Sequence, residues 1–426
     1  MTNRRKFLKA SGAAAAASAL PYFAGCASTA ERKKPIGRVL VIGGGYGGAT
    51  AAKYLRTWSE GAIEVFLIER NPEFVSCPMS NLVLGGSRQM AEITRSYTRL
   101  RDYGVQVIRD EVTGIDFDKK RVSLRRIEDL PYDRLIVSPG VDMLYDAIPG
   151  LNNADAQKRV LHAWKAGADT LALRRQLESM PDGGVYILSI PRAPYRCPPG
   201  PYERACQVAH YFKRAKPRSK VLVLDANEDV TSKGPLFKAA WRDLYAGIIE
   251  YQGNAEVKDV DVKGLSVKTD FDTIKGDVLN VLPPMRAGDL ARPLITANNR
   301  WCGVDWLTME SVKVPGVHIL GDSTLSAPAM PKSGHMANQH GKLAAAAITE
   351  LMNGRTPSAA PVLANTCYSF VSDKEVIHVS SVHRYDAAQK TLVPVPGAGG
   401  VSAQRNELEG SYGWAWAQNI WSDMLA

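Results

Sequence analysis

The chain lacks several features that would place it quickly in a functional class. Beyond its first thirty residues it has no run of about 18 or more apolar residues, so no membrane-spanning helix is expected. No block of Lys and Arg interleaves with aromatics, which argues against nucleic-acid binding despite a net charge of +10. Arg4, Arg5, Lys6 and Lys9 supply four of those charges, and the rest are spread as on an ordinary solvated surface. Cysteines are few, six in 426 residues, and none stands in a C-x-x-C-H haem-attachment motif or in the paired C-x-x-C spacing of a zinc site. No metal site is expected, and any haem would belong to another chain.

What is present begins with the leader. Asn3-Arg-Arg-Lys-Phe-Leu-Lys9 precedes a small, apolar run from Ala10 to Gly25, the pattern of a twin-arginine export signal, here bounded at residues 1–30. Two endings stay open: Ala27-Ser-Thr-Ala30 suits a signal peptidase, and Phe23-Ala-Gly-Cys26 is an imperfect lipoprotein box that would place a lipid anchor on Cys26. Export predicts a periplasmic protein. Apart from Cys26 the chain holds Cys77, Cys197, Cys206, Cys302 and Cys367, an odd number in a compartment that permits disulfides.

The stretch Val39-Leu-Val-Ile-Gly-Gly-Gly-Tyr-Gly-Gly48 reads as a buried parallel strand followed by a tight turn and a helix N-terminus. Gly43 permits the turn, Gly45 lets the backbone approach a pyrophosphate, and Gly48 allows close helix packing. A second strand, Ile63 to Ile68, ends on Glu69, where an acidic side chain takes the ribose hydroxyls. A dinucleotide-binding domain is expected over 36–149, with a helix around Ala91 to Tyr103 between its strands.

The segment 150–281 reads as a second Rossmann-like unit, with a strand Val185 to Ile190 and another at Val221 to Asp225. Its first turn is Pro191-Arg-Ala-Pro-Tyr-Arg-Cys-Pro-Pro-Gly-Pro201, and proline can neither donate backbone N–H groups nor adopt the torsions of a phosphate cradle. The fold is expected without a nicotinamide nucleotide. Residues 282–356 return to the first lobe. There Val317-His-Ile-Leu-Gly-Asp322 is a strand ending on Gly321 and Asp322, a pair suited to a ribityl chain. Met330-Pro-Lys-Ser-Gly334 then leads into a long helix whose N-terminus would face a flavin, through Lys332, Ser333 and Gly334. Two separated fingerprints favour FAD over NAD. Residues 357–426 form a C-terminal domain with an aromatic tail that is Gly- and Trp-containing and not clearly amphipathic.

Arg196-Cys-Pro-Pro-Gly-Pro-Tyr-Glu-Arg204, Met330-Pro-Lys-Ser-Gly334 and Asn365-Thr-Cys-Tyr-Ser369 together resemble the flavoprotein subunit of flavocytochrome c sulfide dehydrogenase, and the likeness runs over nearly the whole chain. The resemblance implies an α/β fold of two Rossmann-type dinucleotide-binding domains, glutathione-reductase-like, with a C-terminal α+β domain. It implies periplasmic oxidation of sulfide, with electrons passing through FAD to a c-type cytochrome subunit in a heterodimer. On the same ground Cys77 matches a cysteine that holds FAD covalently, Cys197 and Cys367 match a redox-active disulfide, Glu203 matches a nearby proton acceptor, and Trp416 matches an aromatic beside the flavin. One departure is that Gly321-Asp322 is followed by Ser-Thr-Leu-Ser, where a cysteine is expected, which leaves Cys302 without a partner; Cys206 is additional. Competing readings are a sulfide:quinone oxidoreductase and a non-catalytic accessory flavoprotein of a sulfur-oxidation system.

Overall fold

Four hydrophobic residues in succession at Val39–Ile42 cannot face water, and they form the centre of a sheet covered on both sides. The computed structural model describes residues 35–426, and Ile36–Ala426 form one compact unit. The leader, with its export motif and Cys26, lies outside the described residues.

In chain order the main elements are β1 (Gly37–Ile42), α1 (Tyr46–Trp58), β2 (Ile63–Ile68), α2 (Ser80–Gly85), β3 (Gln106–Ile108), β4 (Arg134–Val137), α3 (Ala168–Ser179) and β5 (Val185–Ile190). There follow α4 (Gly200–Ala215), β6 (Lys220–Asp225), α5 (Gly234–Leu244), β7 (Ile249–Gln252), β8 (Val278–Val281), β9 (Val317–Ile319) and α6 (Gly334–Met352). Last come β10 (Val362–Phe370), β11 (Val376–Asp386), β12 (Thr391–Pro394) and α7 (Glu407–Leu425). Parallel strands in the order β9-β4-β1-β2-β3 make the first sheet. A second parallel sheet runs β7-β6-β5-β8, and an antiparallel sheet β10-β11-β12 closes the chain. This is the expected α/β architecture with two doubly wound units, and strands more than 170 residues apart in sequence, β4 and β9, lie side by side in it.

One local expectation differs. Residues 91–103 are not one helix: short 3-10 turns at Met90–Ile93 and Thr98–Tyr103 flank a strand, Thr94–Ser96, that pairs antiparallel with Glu73–Val75. Thr-Arg-Ser-Tyr-Thr offers no apolar stripe of helical period, so strand pairing wins. The tail is helical. Asn406 caps α7 by accepting the Glu409 N–H at 2.7 Å, and its glycines are contact points, since a Cβ at Gly410 would lie 1.8 Å from the Lys374 carbonyl. Trp421, Met424 and Leu425 are buried in the core of the first sheet. No helix among the described residues is long and apolar enough to cross a membrane.

Candidate active site

The turn after β1 has the geometry the three glycines encode. Gly43 adopts φ 93°, and a Cβ there would meet the Ser138 carbonyl at 2.4 Å. At Gly48 it would lie 1.9 Å from the Gly43 carbonyl, whereas at Gly45 nothing lies within 4 Å. The last is the open approach that a pyrophosphate needs at a helix N-terminus. Glu69 stands at the end of β2, its Oε2 accepting the Gly44 N–H at 2.7 Å and its Oε1 the Asn71 N–H at 2.8 Å, with lone pairs left for hydroxyl donors.

The other half is assembled from four elements. Gly321, at φ 67°, turns β9 into Asp322, whose Oδ1 is buried without a hydrogen-bond partner. Burial raises the proton affinity of that carboxyl, against the opposing charges of Arg196 and Lys332. Lys332 is buried; its Nζ donates to the carbonyls of Asp322 and Thr324 and sits 3.7 Å from the centre of the Trp301 ring. Burial lowers its pKa to about 8. Ser333 caps α6, accepting the Met336 N–H at 3.0 Å and donating to Asn365 Oδ1 at 2.6 Å. Gly334 packs its bare α-carbon against the Tyr46 ring, which ties this helix N-terminus to the first glycine turn. An orphaned carboxylate, a capped helix start and a glycine turn with open clearance at Gly45 suit the ribityl chain and pyrophosphate of a flavin dinucleotide.

The three half-buried cysteines converge beside it. Cys197 lies in the proline-rich turn before α4 at φ 59°, and its N–H donates to the Lys332 carbonyl at 2.8 Å. Cys367 lies on β10, its Sγ 3.6 Å from Asn365 Oδ1, the atom that Ser333 also reaches. The Cys197 and Cys367 thiols are close enough to oppose each other's ionisation, and both are held as thiols in this structure. Burial pushes both thiols up, but only Cys367 has Lys233, Asn365 and Ser333 working against that rise. Cys77, in the turn before α2, accepts from the Ala166 N–H at 3.4 Å and lies near the charge of the Arg196 guanidinium, whose Nε is buried without a hydrogen-bond partner.

Glu203 is a buried carboxylate, not the surface residue its place in a helix first turn would suggest. Its oxygens accept from Asn81 Nδ2 and from the Phe370 N–H, each at 2.8 Å, and burial raises its proton affinity. Trp416 packs edge-on to His335 at 5.9 Å and tilted against Tyr368 at 6.1 Å, one residue from Gly334 and from Cys367 respectively. Cys206 and Cys302 stay apart from this cluster. Cys206 is fully buried with Trp241 Nε1 3.3 Å from its sulfur, and Cys302 is fully buried beside Ser323 and Thr324, with no cysteine partner for either.

Sequence reasoning passed over Arg196, Asn81, Asn365 and Lys233. Asn81 bonds both Glu203 and Arg204, linking α2 to α4. In the second sheet the Cys197-Pro-Pro199 turn leaves no free N–H cradle. Asp225, at the end of β6, is occupied by the hydroxyls of Tyr202 and Tyr251 at 2.7 and 3.0 Å.

With this geometry established, the chain can be set beside known proteins. Its residues 170–283 match the central domain of the sulfide dehydrogenase (flavocytochrome c) flavoprotein chain, and 359–425 match the flavocytochrome c sulphide dehydrogenase flavin-binding domain. Over 46 residues it is 54% identical to the sulfide dehydrogenase (flavocytochrome c) flavoprotein chain of Chlorobaculum thiosulfatiphilum, covering 94% of that sequence and 11% of this one. The chain belongs to this family. Residues 37–179 also match the pyridine nucleotide-disulphide oxidoreductase family, and 1–21 match the twin-arginine translocation signal, so this member of the family is an exported oxidoreductase. It is 26% identical over 328 residues to the mitochondrial sulfide:quinone oxidoreductase of Mus musculus, covering 72% of this chain and 69% of that one. The sulfide:quinone oxidoreductase of Aquifex aeolicus shares the fold, with a TM-score of 0.71 at 17% identity over 91% of both chains.

Proposed function

We propose that this flavoprotein oxidises sulfide in the periplasm through a Cys197–Cys367 disulfide and passes the electrons through FAD to a c-type cytochrome subunit. The observation that carries this reading is the meeting of Cys197 and Cys367 at the start of α6, beside the orphaned carboxylate of Asp322. FAD when bound supplies a two-electron acceptor that can be emptied one electron at a time, as a haem requires.

The chain's own groups divide the work. HS⁻ attacks Cys197 Sγ, the S–S bond breaks, Cys197 becomes a persulfide and the bonding pair leaves on Cys367. Cys367 is the better leaving group, because Lys233, Asn365 and Ser333 favour its thiolate while nothing comparable faces Cys197 except Arg196. Glu203, with its raised proton affinity, takes the persulfide proton. Cys77 binds the flavin covalently, with Arg196 at its thiol. Trp416, packed on His335 and Tyr368 beside Gly334 and Cys367, would stand against the flavin. Residues 36–149 with 282–356 are assigned as the FAD-binding domain, 150–281 as a Rossmann-like domain without a nucleotide, and 357–426 as the C-terminal domain that brings Cys367.

The acceptor separates this reading from its rival. Purified enzyme given sulfide should reduce a c-type cytochrome rapidly and a soluble quinone analogue at under a tenth of that rate. Quinone reduction with no response to cytochrome would overturn the assignment of acceptor. No turnover with either would favour an accessory role.

A further inference from the structure

One buried cation beside the cysteine pair has a geometry that its charge alone does not explain. Lys233 precedes α5 in a left-handed conformation, φ 57°, which a residue bearing a Cβ keeps only when its surroundings hold it there. Its side chain is 8% exposed. Nζ donates to the Cys367 carbonyl at 3.2 Å, Ser369 Oγ at 2.7 Å and the Ile377 carbonyl at 3.1 Å, all neutral acceptors. Among the described residues no carboxylate lies within ion-pair distance of it, and burial lowers its pKa to about 8. An enclosed ammonium with no direct counter-ion is expensive, so it marks a place where negative charge is created during the reaction. The ionisable groups that face it are Cys367, Glu203, Cys197 and Glu409, all anionic when charged.

The contacts are also aimed. Lys233 holds β10 at Cys367 and Ser369, and Glu203 holds the next residue through the Phe370 N–H. We propose that Lys233 is a positioning residue for Cys367, fixing the strand that carries this cysteine and supplying the positive charge against which its thiolate leaves. The inference rests on the exchange chemistry assigned to Cys197 and Cys367. When HS⁻ bonds to Cys197 Sγ the S–S pair passes to Cys367 Sγ, no proton moves in that step, and the new negative charge appears on the residue whose carbonyl the ammonium binds.

The test uses the flavin-loaded protein, reduced anaerobically with dithiothreitol, and follows alkylation of Cys367 by iodoacetamide against pH with peptide mass spectrometry. Lys233→Met should slow alkylation about tenfold at neutral pH, where the ammonium with its pKa of about 8 is still charged, and the difference should fade above that pH. Lys233→Arg keeps the charge and should keep the neutral-pH rate near wild type. Ser369→Ala removes one anchor but not the charge, and should slow alkylation less than Lys233→Met. Flavin content should hold in Lys233→Met, whereas Tm should fall, because the Cys367 and Ile377 carbonyls and Ser369 Oγ lose their buried donor. A Lys233→Met profile that overlays wild type overturns the proposal. Equal slowing in all three variants also overturns it, since packing rather than charge would then be responsible. Sulfide turnover by the wild-type protein is scored separately: its absence removes the sulfide reading and leaves the thiol titration to judge Lys233.

Discussion

Cys367→Ser abolishes sulfide-driven bleaching of the bound flavin, slowing it by roughly 10³-fold or more while flavin content stays at the wild-type level. The size follows from chemistry. A serine hydroxyl can neither close a disulfide with Cys197 nor leave from one, so the covalent route through Cys197 is lost as a whole and not weakened in degree. Cys197→Ser should behave the same way, since the two sulfurs act as one unit and their losses do not add. Flavin retention is expected because Cys367 is not among the groups that line the cofactor cradle at Gly45, Glu69 and Asp322. Cys206→Ala and Cys302→Ala serve as controls: both sulfurs are fully buried away from the pair, so bleaching should stay within about twofold of wild type. Rapid mixing with sulfide under anaerobic conditions measures all four variants.

The second large effect separates two glycines three residues apart. Gly48→Ala places a methyl 1.9 Å from the Gly43 carbonyl, a backbone atom that cannot step aside without opening the β1–α1 turn. The expected result is a loss of about 3 kcal/mol in stability and purification of flavin-free or insoluble protein. Gly45→Ala meets nothing within 4 Å in the protein, and its φ of −70° suits alanine. The fold should therefore lose less than about 1 kcal/mol while flavin incorporation falls tenfold or more, because the methyl stands where the pyrophosphate must pass. Thermal unfolding with and without added FAD distinguishes the two. If both variants unfold early, or both keep flavin, the roles given to these glycines are wrong.

The glycine turn was legible because its geometry is written in consecutive residues: φ at Gly43, clearance at Gly45 and contact at Gly48 each depend on the local backbone. Glu69 and Asp322 were legible for a similar reason, as positions just past strands whose hydrophobic runs are unmistakable. The cysteine pair was not. Cys197 and Cys367 meet because the turn after β5 bonds to Lys332 while β10 crosses the start of α6, and nothing local to either cysteine encodes that crossing. Only the likeness of three short strings to a known family pointed to the pairing. Lys233 was invisible altogether: Ser-Lys-Gly-Pro reads as a solvated turn, and its importance comes from carbonyls on β10 and β11, more than 130 residues away. The packing of the tail was not legible either: Gly410 and Gly413 let α7 lie against a neighbouring loop and strand, and only the tertiary contact reveals it.

The most direct measurement is the absorbance of the oxidised flavin after the purified, air-oxidised protein is mixed anaerobically with sulfide, followed by quenching and mass analysis of the peptide that contains Cys197. The account predicts rapid bleaching, with Cys197 carrying one additional sulfur atom on the same timescale. A flavin that stays oxidised, or that bleaches while Cys197 and Cys367 remain unmodified and unexchanged, would contradict it.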